Sequence, residues 1–162
     1  MRSAGAAASH VEAYERYGRA LLRKAERILG NSADAQDQVH ALFADVYHRA
    51  DLDLPYLYRA ITNRCLSFIR DESNRTRLLE RNDIALRGMV RTRCDDEVIG
   101  LDLLTKLVRE LDQRESEVLA YRYVDDMTQD EIAELLGISR KTVGKKLDRI
   151  RQMVARLEEV PS

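Results

Sequence analysis

Residues 140–156 hold the densest positive charge in the chain. Arg140, Lys141, Lys145, Lys146, Arg149, Arg151 and Arg156 stand against one acid, Asp148. Residues 101–139 run the other way, with ten acids against four basic residues. The formal net charge of -1 over 162 residues therefore conceals a local +6 beside a local -6. Guanidinium and ammonium groups on a helix of groove width suit phosphates and base edges, and counterion release drives such binding. A basic helix can also be solvated and partnerless, so the spacing upstream decides. The stretch TQDEIAELLGISRKTVGKKLDRIR, from Thr128 to Arg151, predicts a short helix, a turn Gly137–Ile138–Ser139 and a longer helix. That is the layout of a helix-turn-helix. Ala133, four residues before Gly137, is small where two helices cross, and Ile132, Leu135, Leu136, Ile138 and Val143 supply apolar contact. Val143, Leu147, Ile150 and Val154 share one arc of the longer helix, opposite Lys141, Thr142, Lys145 and Arg149. Gly144 either permits a close backbone approach or carries no meaning.

A second cationic surface lies in PYLYRAITNRCLSFIRD, from Pro55 to Asp71. Leu57, Ile61, Cys65, Phe68 and Ile69 predict its buried stripe, and Tyr56, Arg59, Asn63, Ser67 and Arg70 its outer face. An aromatic ring, two arginines and an amide suit unstacked bases and a phosphate track. Taken alone, that face is better explained as an ordinary amphipathic surface, because such faces are common. The preceding segment, ADAQDQVHALFADVYHRAD, predicts burial of Val39, Leu42, Phe43 and Val46 and exposure of Asp34, Asp37, Gln38 and Asp45. An acidic helix face can dock a basic partner.

The elements that carry these surfaces are helical. Two prolines and seven glycines leave long uninterrupted runs, and no sustained two-residue alternation argues for strands. Ser9 with Glu12 has capping-box spacing and predicts a helix to about Leu29, with Gly30 beyond its end. Asn31 or Ser32 caps a second helix to about Ala50. Asp53 caps a third, with Pro55 in its first turn, running past Arg70. Val98, Leu101, Leu104, Leu107 and Leu111 form a helical stripe. Asp112 with Glu115 opens a helix to about Tyr123, Thr128 with Glu131 a short one to Gly137, and Ser139 the last, to about Leu157. The expected fold is all-α, two small helical bundles joined by a flexible linker. The expected divisions are a loose tail at 1–9, a first bundle at 10–71, a linker at 72–97, a second bundle at 98–158 and a tail at 159–162.

Other chemistries find little support. No apolar run approaches the ~18 residues that cross a bilayer. The Ala-rich start lacks the apolar core of a secretory signal. Cys65 and Cys94 have no metal-ligand spacing, and His10, His40 and His48 form no ligand pair and are expected at the surface. Cys65, Tyr121 and Tyr123 are expected as packing residues. No phosphate loop or nucleophile motif occurs, so neither a cofactor nor an enzyme is expected. A reduced, cytoplasmic setting follows.

Three segments together carry a resemblance. YLYRAITNRCLSFIR resembles the WLYRIATNRCLDLLR-like segment of extracytoplasmic-function sigma factors of bacterial RNA polymerase. DAQDQVHALFADVY resembles the DAEDVVQEVFLRLW-like segment before it, and LDQRESEVLAYRYVDDMTQDEIAELLGISRKTVGKKLDRIR resembles the fourth sigma domain. Order and spacing match over about residues 14–157, and 72–97 leaves no room for a middle domain. The resemblance implies a dissociable specificity subunit of core RNA polymerase. It implies that the helix around Asp34, Asp37, Gln38 and Phe43 docks the β′ clamp, and that the fourth domain meets the β flap. Tyr56, Arg59, Asn63, Arg64 and Arg70 would engage the opened -10 element. Arg140, Lys141, Thr142, Lys145, Lys146 and Arg149 would read the -35 element in the major groove. An anti-sigma factor is an implied further partner. The chain departs from the pattern at His40 and Ala41, where Gln-Glu is usual, at Tyr47 and Tyr56, where Trp is common, and in the short Asp51–Leu54 segment, where the family reads a flipped base.

Two rivals remain open from sequence. A stand-alone helix-turn-helix regulator would bind a symmetric duplex site without polymerase. A sigma-derived adaptor would hold polymerase or an anti-sigma partner and start no transcripts.

Overall fold

A computed structural model describes residues 3–49, 52–79, 92–94 and 97–159, with backbone alone at 3–9, 77–79, 92–94, 97–99 and 101. The linker stretches 80–91 and 95–96, Asp51 of the short loop and the C-terminal residues 160–162 lie outside the described residues. The chain forms two compact units, Met1–Cys65 and Leu66–Ser162, whose boundary falls inside the third helix.

In the first unit α1 (Ser3–Leu29) packs along α2 (Ser32–Asp45). Leu21, Ala25 and Ile28 of α1 and Ala35, Val39, Leu42 and Phe43 of α2 are buried. Residues 3–9 of the expected loose tail are instead the first two turns of α1. Ser9 therefore sits inside the helix and does not cap it. Ala4, Ala6, Ala7 and Ala8 explain the earlier start, because alanine loses least on entering a helix. Gly30 closes α1 with φ 68°, its N–H donating 2.8 Å to the Glu26 carbonyl. Asn31, one of two candidates, is the cap of α2, its side chain accepting from the Asp34 N–H at 3.1 Å. The helix stops at Asp45, short of Ala50, where Val46 turns inward into burial and tighter bonds such as Tyr47 N–H to the Ala44 carbonyl take over.

The third helix, α3 (Leu54–Leu79), begins where expected, with Asp53 Oδ1 accepting from the Tyr56 N–H at 2.9 Å, and continues beyond residue 71. Its buried side chains are Leu57, Ile61, Thr62, Cys65, Leu66 and Ile69. Phe68, expected in that stripe, is only half-buried, and Leu66 has its place.

Among its described residues the second unit is helical except for one hairpin. Short strands β1 (Thr92–Cys94) and β2 (Glu97–Ile99) pair antiparallel, Thr92 opposite Ile99 and Arg93 opposite Val98. Val98 therefore belongs to a strand and the helical stripe starts later, in α4 (Leu101–Glu110). Thr92, Val98 and Ile99 are β-branched and suit extended backbone, but three residues are too few to register as alternation. The next helix, α5 (Gln113–Leu119), ends four residues before Tyr123. A five-residue π turn, Ala120–Val124, replaces its last turn. Residues 115–121 are buried without a break, so this is the central helix of the unit. α6 (Gln129–Leu136) and α7 (Arg140–Glu158) complete it, with α4, α5 and α6 all packed on α7. Among the described residues no helix is long and apolar enough to cross a membrane.

Candidate nucleic-acid interface

The α6–α7 pair is built by local chemistry. Thr128 and Glu131 form the capping box of α6. The Thr128 hydroxyl accepts the Glu131 N–H at 3.3 Å, and Glu131 Oε2 accepts the Thr128 N–H at 2.7 Å. The Thr128 N–H, together with the Thr128 hydroxyl that donates to the same Oε2 at 2.8 Å, holds the Glu131 carboxyl below its ordinary range. Gly137 ends α6 with φ 64° and ψ 35°, the left-handed conformation that costs glycine least. Ser139 Oγ then accepts the Thr142 N–H at 3.1 Å and starts α7. Ile132, Ala133, Leu136 and Val143 are buried at the crossing, whereas Leu135 and Ile138 are only half-buried. Gly144 faces open space apart from an ordinary contact with the Gln129 side chain, so no close approach requires it.

Buried Val143, Leu147, Ile150, Met153 and Val154 turn one side of α7 inward. Of the six residues expected to read the groove, Arg140, Lys141, Lys145 and Arg149 are exposed and Thr142 and Lys146 half-buried. They do not form one free set. Arg149 Nη1 lies 3.2 Å from Glu115 Oε1. Lys146 Nζ lies 3.9 Å from Asp112 Oδ2, and Arg140 Nε lies 3.7 Å from Asp130. Sequence spacing could not reveal these partners, which come from α5 and α6.

The α3 surface is less open than its pattern suggests. Tyr56, Arg59, Asn63, Arg64 and Arg70 are all half-buried. The Arg49 guanidinium covers Tyr56, and Arg64 pairs with Asp45. Asn63 Oδ1 is shielded from solvent with no hydrogen-bond partner among the described residues. Within the second unit, Arg70 donates to the Val108 carbonyl from Nε at 3.3 Å and from Nη2 at 3.2 Å, and to Ser116 Oγ at 3.4 Å.

On α2, Asp37 is exposed and Asp34 and Gln38 are half-buried. Phe43 is only 8% exposed and packs edge-on against Tyr14, so it supports this surface from beneath. The histidines differ from expectation at one position. His40 and His48 are exposed, but His10 is 6% exposed and stacks on Tyr47 at 5.0 Å, a partner 37 residues away that helical spacing does not reveal. Cys65 is wholly buried, and burial pushes its thiol up to about 12. Tyr121 and Tyr123 are core residues.

Two families match this chain. Residues 13–75 match the one described as Sigma-70 region 2, and residues 101–154 the one described as Sigma-70, region 4. The RNA polymerase sigma-E factor of Streptomyces coelicolor is 30% identical over 144 residues, which cover 86% of this chain and 78% of that protein. The chain belongs to the sigma-70 family, in its extracytoplasmic-function group. Members of the family are transcription initiation factors. Two solved structures also resemble it. One is the sigma factor RpoE with the anti-sigma factor NepR from Bartonella quintana, at 15% identity and TM-score 0.48, covering 93% of this chain and 97% of that one. The other is CnrH with the cytosolic domain of CnrY, at 23% identity and TM-score 0.49, covering 98% and 97%. At these scores the likeness adds nothing to the assignment.

Proposed function

We propose that this chain binds core RNA polymerase and directs it to promoters, where it opens the DNA and starts transcription. The observation that carries the reading is the α6–α7 pair, a fully capped helix-turn-helix whose second helix offers Lys141 and Lys145 away from its buried side. In this reading α7 reads the -35 element. Tyr56, Arg59, Asn63 and Arg64 meet the -10 strand, while Arg70 would have to leave Val108 and Ser116 to join them. Asp34, Asp37 and Gln38 dock the β′ clamp, the second unit meets the β flap, and an anti-sigma factor holds the chain in reserve in the cytoplasm.

Run-off transcription with purified core polymerase on a genomic promoter library tests this directly. Defined starts that appear only when the chain is added are the expected result. Tight binding to a symmetric duplex without polymerase, or binding to core with no new starts, would overturn it in favour of a regulator or an adaptor.

A further inference from the structure

The N-terminus of α5 does two jobs with each of its capping carboxylates. Asp112 Oδ1 accepts the Glu115 N–H at 2.7 Å, and its Oδ2 faces Lys146. Glu115 Oε2 accepts the Asp112 N–H at 3.0 Å, and its Oε1 faces Arg149. One oxygen of each side chain closes the capping box and the other holds α7. We propose that Asp112 and Glu115 are positioning residues for promoter binding: they clasp Lys146 and Arg149, fix the roll of α7 about its axis, and leave Lys141 and Lys145 to meet the groove. This rests on the reading of α7 as the helix that contacts DNA.

Burial separates Arg149 from an ordinary surface cation. Glu115 is 3% exposed, whereas Arg149 is 61% exposed. A carboxylate so far from water depends on its cation, and withdrawing that cation to a phosphate would leave a buried charge uncompensated. Lys146, 21% exposed, is likewise turned toward α5. The two cations stand three residues apart, nearly one turn, so their pairs with Asp112 and Glu115 hold α7 at two points along its axis, in addition to the apolar stripe beneath. Lys141 and Lys145 lie about 40° apart around the same helix and are exposed, and among the described residues neither pairs with an acid of α5.

The test joins two measurements on the full chain. The first is the salt dependence of promoter binding by polymerase reconstituted with it, measured well below the melting temperature. The second is thermal melting of the chain alone. Lys141→Ala and Lys145→Ala are each expected to lower the log–log salt slope by about one and leave melting unchanged. Arg149→Gln and Glu115→Gln should weaken promoter binding several-fold with the slope unchanged, and Arg149→Lys should restore part of the loss. The double variant Glu115→Gln/Arg149→Gln should melt no lower than the worse single variant. A flattened slope for Arg149→Gln, full promoter affinity in both single variants, or additive melting losses would each overturn the proposal. If the parent chain binds no promoter with polymerase while Glu115 and Arg149 still couple in melting, the reading of α7 as the DNA helix fails, the clasp stands and its promoter role falls with that reading.

Discussion

The Arg49 guanidinium lies over the Tyr56 ring, 4.3 Å from its centroid, and donates from Nη1 to the Tyr56 hydroxyl at 3.0 Å. Arg49 follows α2 and Tyr56 sits in the first turn of α3, so this pair clasps the two sides of the short 51–54 segment. The ring that the -10 reading assigns to an unstacked base is thus already held by a cation. Tyr56→Ala should slow promoter opening by about 1–3 kcal/mol, the worth of one stacked base. Tyr56→Phe keeps the ring and should open nearly as the parent does. Permanganate reactivity of the -10 thymines reads the difference, and equal opening by both variants would remove Tyr56 from the interface.

Cys65 gives a pH signature at the alkaline end. Its thiol is ordinary, near 9.0, when unfolded and about 12 when buried. The folded form therefore keeps a proton that the unfolded form loses. The stabilisation is complete below pH 9 and drains away between about 9 and 12. Cys65→Ala should cost about 1 kcal/mol at neutral pH from lost packing, yet its stability should fall less steeply than the parent's above pH 9. Urea denaturation at pH 7, 9 and 10 checks both slopes.

Glu131 gives the opposite signature. Its carboxyl is held low by the Thr128 backbone and side-chain bonds, so the bond's contribution is present above the ordinary carboxyl range and is lost as pH falls through the lowered value. Glu131→Gln should melt below the parent at pH 7 and together with it in strong acid. A constant gap across that range would show that the charge on Glu131 does not matter to the cap.

Gly137 tests the turn of the helix-turn-helix. Its φ of 64° is left-handed, and a Cβ there would meet nothing within 4 Å. The penalty of Gly137→Ala is therefore backbone strain alone, roughly 1–2 kcal/mol. Denaturant melting measures it. A larger loss would mean that the turn had been rearranged rather than strained.

Much of this architecture could be read from the sequence because its signals are local. Asp112 with Glu115, Thr128 with Glu131, and Gly137 before Ser139 are each settled within four residues, and all form as their spacing predicts. Val39, Leu42, Phe43 and Val46 declare their burial by period alone. What escaped depends on partners distant in sequence or on weak competing signals. The start of α1 turned on whether an alanine run outweighs a capping box at Ser9. Lys146 and Arg149 look like groove cations until α5 is folded beside them. Leu66 takes a core position that helical arithmetic gave to Phe68, and the period of α3 alone does not reveal the exchange.

The π turn has a consequence for how this chain can vary. From Ala120 the bonds run to the fifth residue on, as from the Asp125 N–H to the Ala120 carbonyl at 3.2 Å, so the backbone accommodates one amino acid more than an ordinary turn of the same span. Deleting one codon there would tighten the coil without disturbing the caps at Asp112 and Thr128. Single-residue gaps among homologues are expected to gather at 120–124, whereas the three-residue connection 137–139 should keep its length.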